Sequence, residues 1–367
     1  MQDQAKPNHA EPLAEIRGEI DAIDTQLLAL LNRRAACAQK VAVIKTTAGE
    51  NECFHRPERE AEILRRVAAE NPGPLGSEVI VFFFRELMSE CLALEKPLSV
   101  AFLGPAGTFS QQATYKHFGH GIQSMPLACI DEVFRSVETG ACQYGVVPVE
   151  NSSGGVIPDT LDSFLRSPLL IAGEVNLRIH HNLLGKGLEL SQIREVYSHQ
   201  QSLTQCRNWL IQHLPNIPCH AVNSNAEAAR LAAERKGCAA IAGQIAAELY
   251  GLDLLAANIE DEPDNTTRFL VIGRAPVGPT GVDKTSLLLS TQHSPGALYK
   301  MLEPFARYGL NMTKIESRPS RRGAWSYVFF VDVEGHGDQP PLADALAELE
   351  QHVTLMKNLG SYPKALP

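Results

Sequence analysis

The sequence predicts a multidomain chain with an all-α domain, an α/β domain and a smaller α+β domain in that order. Three observations carry this. The 367 residues exceed the ~250–300 that one core supports. Apolar residues follow helical spacing at the start, then change after Lys96-Pro97 to short apolar runs alternating with helical stretches. The Pro/Gly run Ala275-Pro276-Val277-Gly278-Pro279-Thr280-Gly281 sets off a last compact stretch. The expected domains are 8–96, 98–275 and 284–364.

In the first domain, Ile16, Ile20, Ile23, Leu27, Leu30 and Leu31 define a helix over 13–46, unbroken by proline. At roughly 50 Å it is too long for a domain of ~85 residues to bury alone. It is expected to pack against a second copy, giving a homodimer or a tetramer. Shorter helices are expected at 57–70 and 77–95, around the loop Asn71-Pro72-Gly73-Pro74.

In the second domain, strands are expected at 98–103, 144–149, 195–198, 239–242 and 269–272, with helical stretches between them. That alternation places ligands at the carboxyl ends of strands. The third domain reads strand 285–290, helix 296–308, strands 312–317 and 326–333, helix 342–354 and a strand near 356–362. This is the β-α-β-β-α-β order of a ferredoxin-like unit.

Composition excludes several functions. A net charge of −9 argues against a general nucleic-acid binder. No segment approaches the ~20 apolar residues of a membrane span, and the polar start has no signal-peptide core, so a cytoplasmic protein is expected. The eight cysteines form no C-x-x-C pair and read as reduced thiols. The histidines lack ligand spacing, so no metal is expected. Gly104-Pro105-Ala106-Gly107-Thr108-Phe109-Ser110 fits neither G-x-G-x-x-G nor a P-loop, so no nucleotide cofactor is expected either.

On the long helix, Arg34 and Lys45 lie within about 20° of one another on the helical wheel and share a face with Ala38 and Val41. Two cationic arms there can converge on a small dianion, or simply solvate an exposed face. Arg17 points elsewhere, toward a partner's pocket in a helix-paired dimer. Leu27-Leu28-Ala29-Leu30-Leu31-Asn32-Arg33-Arg34, Lys45 and Arg59-Glu60 resemble the all-helical chorismate mutases. The resemblance implies that Arg17 of the partner, Arg34 and Arg59 hold the substrate's carboxylates. It assigns the ether oxygen to Lys45 and Glu95, and the ring hydroxyl to Glu60. Cys91 stands where the family has a carboxylate-contacting serine, and Arg56 falls near its acidic loop position. A pericyclic rearrangement needs no nucleophile, only a held conformer and stabilised charge. Glu95 must carry a proton to donate to the ether oxygen.

In the second domain, the glycines of 104–110 permit close backbone approach, while Thr108 and Ser110 can cap a helix or bind an anion. Pro148-Val149-Glu150-Asn151-Ser152-Ser153-Gly154-Gly155 reads as a polar turn after a strand, and Ser198-His199-Gln200-Gln201-Ser202 as another. Asn265-Thr266-Thr267-Arg268-Phe269 precedes the last strand, offering a hydroxyl and a guanidinium able to grip a carboxylate. In this order and spacing the segments resemble prephenate dehydratase. The resemblance implies two α/β subdomains, like a periplasmic-binding-protein core, with the site between them. It implies that Thr267 is the essential hydroxyl, and that Gly107, Thr108, Glu150, Asn151, Ser152, Ser198, Arg268 and Phe269 contact prephenate. Arg268 either orients the site or is an ion-pair partner. Gln200 departs from the family's usual proline, and His199 is given no chemical step.

In the third domain, Ser294-Pro295-Gly296-Ala297-Leu298 and Glu316-Ser317-Arg318-Pro319 resemble the regulatory ACT domain of prephenate dehydratases. The resemblance implies that both segments bind L-phenylalanine at a subunit interface and that it inhibits. The ligands expected for the chain are therefore chorismate, prephenate and L-phenylalanine.

Overall fold

A computed structural model describes residues 10–47, 55–292, 294–319 and 327–365. The first domain is three helices: α1 (Ala10–Thr47), α2 (Pro57–Glu70) and α3 (Ser77–Glu95). The 38 residues of α1 span about 57 Å. Its apolar stripe lies open, with Leu13, Ile16, Ile20, Ile23, Leu27, Leu28 and Leu30 all exposed. Proline at the first position of α2 suits a site where no amide proton is needed. This helix buries Ala61 and Leu64, and α3 buries Val81 and Cys91.

The second domain has two lobes. The first contains β1 (Leu98–Leu103), α4 (Phe109–Phe118), β2 (Ile122–Leu127), α5 (Ile130–Glu138), β3 (Tyr144–Asn151), β4 (Gly155–Val156), α6 (Pro158–Arg166) and β5 (Leu170–Arg178). The chain then builds the second from β6 (Asn182–Gly185), β7 (Glu195–His199), α7 (Gln200–Gln205), α8 (Arg207–His213), β8 (Cys219–Val222), α9 (Asn225–Glu234), β9 (Cys238–Ala242), α10 (Gln244–Tyr250) and β10 (Asp253–Ala256). It returns to the first lobe in β11 (Thr266–Gly273). The first sheet runs β2-β1-β3-β11-β5, and the second β10-β6-β9-β7-β8. Strand β11 is antiparallel to both β3 and β5, so its start lies beside the carboxyl end of β3.

The third domain comprises β12 (Asp283–Ser290), α11 (Ala297–Arg307), β13 (Met312–Pro319), β14 (Tyr327–Glu334), α12 (Leu342–Leu349) and β15 (Leu355–Pro363). Its antiparallel order, β13-β14-β12-β15, is that of a ferredoxin-like sheet. Side chains alternate across it. Leu287, Leu289, Val331 and Val333 pack under α11 and α12, while Leu288, Phe330 and Tyr362 join the core of the first lobe. Thus the sheet of the third domain forms one wall of the core of the first lobe.

Three expectations are corrected here. Glu150 and Asn151 end a strand instead of forming a turn, and Thr266 to Phe269 are already in β11. The strand β5 falls where only helical stretches were expected between strands, and it pairs along the whole of β11. Helix α12 stops at Leu349, short of the expected 354. The expected strand start at Ser326 lies outside the described residues.

Candidate active sites

The three helices enclose a pocket of about 350 Å³. Arg34, Ala38, Val41 and Lys45 line it from α1, Arg56, Arg59 and Glu60 from the start of α2, and Cys91 and Glu95 from α3. The cationic arms and the two carboxylates thus meet around one space. Arg17 does not join them. It is exposed, seventeen residues and about 25 Å from Arg34 along α1.

The two pocket carboxyls differ in their surroundings. Burial pushes the Glu95 carboxyl up from its ordinary range, against the opposing pull of Lys45 and Arg34. Burial also pushes Glu60 up, but the His55 hydrogen bond and the charges of His55, His117 and Arg85 outweigh it and hold Glu60 down. His55 Nε2 is 3.0 Å from Glu60 Oε2, and its Nδ1 is 3.2 Å from the Tyr144 hydroxyl at the start of β3. Sequence reading passed over His55. Its one signal is its place, two residues before the proline that opens α2.

In the second domain, Thr267 is the register partner of Asn151. Asn151 Nδ2 donates to Thr267 Oγ1 at 2.8 Å and to Asn265 Oδ1 at 2.8 Å. Asn151 Oδ1 accepts from the Gly154 amide at 2.7 Å and from Ser153 Oγ at 2.9 Å. With both faces of its amide engaged, Asn151 is locked. Thr267 accepts from it, and among the described residues the Thr267 hydroxyl donates to no protein group. Asn265 Nδ2 is buried beside it without a partner among the described residues.

The second lobe comes close at this point. Gln205 Nε2 reaches Ser153 Oγ at 2.6 Å, and Gln201 Nε2 lies 3.5 Å from Asn151 Oδ1. Gln205 Oε1 also lies 2.8 Å from His181 Nε2, and the Phe109 ring meets His181 at 5.6 Å between centroids. Gly107 has φ +87°, and a Cβ there would meet Leu249 and Ala246 of the second lobe. Asn265 and Gln201 lie in segments singled out from sequence but were given no contact, and Gln205 was missed, because only the folded lobes bring it to Ser153.

Other expected contacts lie elsewhere. Phe269 is buried in the core with Phe102 and Val146, so it packs and does not face the cleft. Ser198 is fully buried, with Oγ 2.7 Å from Ile241 O and 3.0 Å from Asn225 Oδ1. Ser152 Oγ accepts from the Thr266 amide at 3.0 Å and ties two strand ends. Thr108 Oγ1 donates to Leu103 O at 3.2 Å instead of capping α4. Arg268 and Glu150 point away from the cleft altogether. Arg268 Nε bonds Glu174 at 2.8 Å and Nη1 bonds Asp332 at 2.5 Å, while Glu150 pairs with Lys314 at 2.7 Å.

In the third domain, Gly296 takes φ +78° immediately before α11, with nothing among the described residues within 4 Å of an added Cβ. Ala297 and Leu298 open the helix, and Leu298 is exposed. Glu316, Ser317, Arg318 and Pro319 lie within β13, and Arg318 pairs with Asp162 at 3.0 Å.

Fold and sites together define a multidomain enzyme for small anionic substrates, with a cationic helical pocket, a separate polar cluster at the lobe junction and a ferredoxin-like sheet. Family models match in the same order: chorismate mutase type II over 16–96, prephenate dehydratase over 100–277 and the ACT domain over 285–351. A bifunctional chorismate mutase/prephenate dehydratase of Stutzerimonas stutzeri is 52% identical over 98% of this chain and 100% of its own. One from Pseudomonas aeruginosa is 52% identical over 97% and 99%. Two solved structures share the fold at a TM-score of 0.68 and 35% identity. One is a prephenate dehydratase with L-Phe from Arthrobacter aurescens, matched over 73% of this chain and 90% of its own. The other is a quorum-quenching acylase, GqqA, matched over 73% and 98%. Fold alone therefore does not choose the reaction, but identity along the full chain does. The chain belongs to the bifunctional chorismate mutase/prephenate dehydratases, which rearrange chorismate to prephenate and convert prephenate to phenylpyruvate.

Proposed function

We propose that the helical pocket and the lobe junction divide the two steps as follows. In the helical pocket, Arg34 and Arg59 hold the carboxylates of chorismate, and Arg17 enters from a second copy. Lys45 and protonated Glu95 donate to the ether oxygen as charge develops there, and ionised Glu60 takes the ring hydroxyl. The open apolar stripe of α1 supports a dimer built on that helix.

At the lobe junction, Thr267 gives its proton to the departing ring hydroxyl of prephenate. The bond to the ring carboxylate breaks, its electron pair enters the ring, carbon dioxide leaves and the C–O bond breaks. Hydroxide departs with the proton as water, and the proton lost by Thr267 is restored from solvent. Aromatisation supplies the driving force, so one placed donor suffices. The observation that carries this reading is the bond from Asn151 Nδ2 to Thr267 Oγ1, which makes Thr267 an acceptor inward and frees its proton outward. The buried, unpartnered Asn265 Nδ2 suits a substrate carboxylate. Gly296–Leu298 and Glu316–Pro319 form the phenylalanine site, with inhibition as its result. No described helix is long and apolar enough to cross a membrane, in keeping with work in the cytoplasm.

A single assay from chorismate tests the division. In Thr267→Ala, chorismate should disappear at the native rate while prephenate accumulates and phenylpyruvate fails to form. Substantial phenylpyruvate would refute the role of Thr267.

A further inference from the structure

Consecutive strand residues face opposite sides of a sheet. In β11, Arg268, Leu270 and Ile272 face the regulatory sheet, and Thr267 and Phe269 face the other way. In β3, Val147 and Val149 face the regulatory side, and unbroken alternation would send Asn151 there too. A bulge prevents this. Phe269 pairs with Pro148 and Arg268 with Glu150, so Val149 is the extra residue. The phase flips, Asn151 turns to Thr267, and Glu150 turns to the regulatory sheet beside Arg268.

Both outward residues are held by that sheet. Lys314 of β13 grips Glu150 at 2.7 Å. Asp332 of β14 and the Tyr362 hydroxyl of β15 grip Arg268 at 2.5 and 3.0 Å. The side chains of Arg268, Glu174 and Asp332 are only 14%, 2% and 9% exposed, so the charges depend on one another. Ser286 Oγ donates to Asp332 at 2.6 Å, and Lys284 pairs with Glu174 at 2.8 Å, fixing the acceptors in turn. A cavity of about 20 Å³ between Val149, Arg268, Lys314 and Asp332 leaves room at this seam.

We propose that Lys314 and Asp332 of the regulatory sheet are positioning residues for dehydration, setting the Asn151–Thr267 pair through Glu150 and Arg268. The proposal rests on the reading of Thr267 as proton donor. Each grip acts on the residue next to a site residue, and a misplacement of ~1 Å can cost ~100-fold in rate. Lys314 also shares β13 with Glu316–Pro319, so a shift of that strand reaches β3 directly.

The test uses the full-length protein and assays both activities on each preparation. Lys314→Met should lower dehydratase kcat about tenfold, with KM and mutase kcat within about twofold of native. Lys314→Arg should restore kcat, and so should the exchanged pair Lys314→Glu with Glu150→Lys. Asp332→Asn should lower dehydratase kcat in the same selective way. The proposal is overturned if both Lys314→Met and Asp332→Asn keep native kcat, if only KM rises, or if mutase activity and melting temperature fall in parallel with dehydration. Failure of the Thr267 reading is distinct, since it appears as turnover in Thr267→Ala whatever the Lys314 variants do.

Discussion

The two catalytic regions of this chain hold their functional groups in opposite ways. The helical pocket surrounds about 350 Å³ with long arms, Arg34, Lys45, Arg59 and Glu95, anchored on three helices. The lobe junction uses a short hydroxyl and a short amide on adjacent strands, locked by bonds of 2.7–2.9 Å. A pericyclic step transfers no proton, so it needs charge in the right region and tolerates flexible arms. Elimination needs one proton delivered to one oxygen, so its donor must be rigid. The largest expected effect tests that contrast. Thr267→Ala should lower dehydratase kcat by about 10³ with KM little changed, as measured by phenylpyruvate formation from prephenate. Thr267→Ser should keep much of the rate, because it keeps the hydroxyl. If Thr267→Ala and Thr267→Ser behave alike, placement of a hydroxyl is not what this region supplies.

The next effect lies on the other side of the comparison. Lys45→Met should lower mutase kcat/KM by about 10² and leave dehydration untouched, measured by chorismate disappearance. Lys45→Arg should recover part of the rate, since long arms in an open pocket can reposition. A complete loss in Lys45→Arg would mean that the helical pocket is as exacting as the strand site.

These regions also differed in how far the sequence revealed them. The helical face of Arg34, Ala38, Val41 and Lys45 followed from a 3.6-residue period, because one helix sets those positions locally. The two later helices brought Glu60, Cys91 and Glu95 to the same pocket. His55 escaped, since its partner Tyr144 lies in another domain. In the strand site, Thr267, Asn151, Glu150, Arg268 and Phe269 all came from resemblance, as neighbours within two short segments. Adjacency misleads in a strand. Alternation sends Arg268 to the regulatory sheet, and Phe269 shares the face of Thr267 but lies one step deeper in the core. The bulge at Val149, which aims Asn151, depends on pairing with β11 over a hundred residues away and leaves no local signature.

The third effect concerns phenylalanine. Gly296→Arg should abolish inhibition of dehydration by L-phenylalanine while changing uninhibited kcat by less than about twofold. The side chain would fill open space at a left-handed position before α11, where the expected ligand carboxylate lies. An inhibition curve unchanged in this variant would move the effector site elsewhere and leave β13 as a purely mechanical strand.

The smallest effect at neutral pH discriminates most finely within the helical pocket. Burial raises the Glu95 carboxyl from its ordinary range, and Lys45 and Arg34 reduce but do not cancel that rise. Its proton is therefore retained above the ordinary glutamate pKa of about 4.3. Only the protonated form donates to the ether oxygen, and the ionised form repels the charge developing there. Mutase activity should hence be full below the raised pKa and fall as pH rises through it, by up to about tenfold per unit. In Glu95→Gln an amide donates at every pH, and its profile from pH 5 to 8 should be flat within about twofold. Dehydration, measured in the same samples, should keep its native profile in this variant. A mutase profile that still falls in Glu95→Gln would transfer the titration to another group and show that Glu95 acts only as one more charge around the pocket.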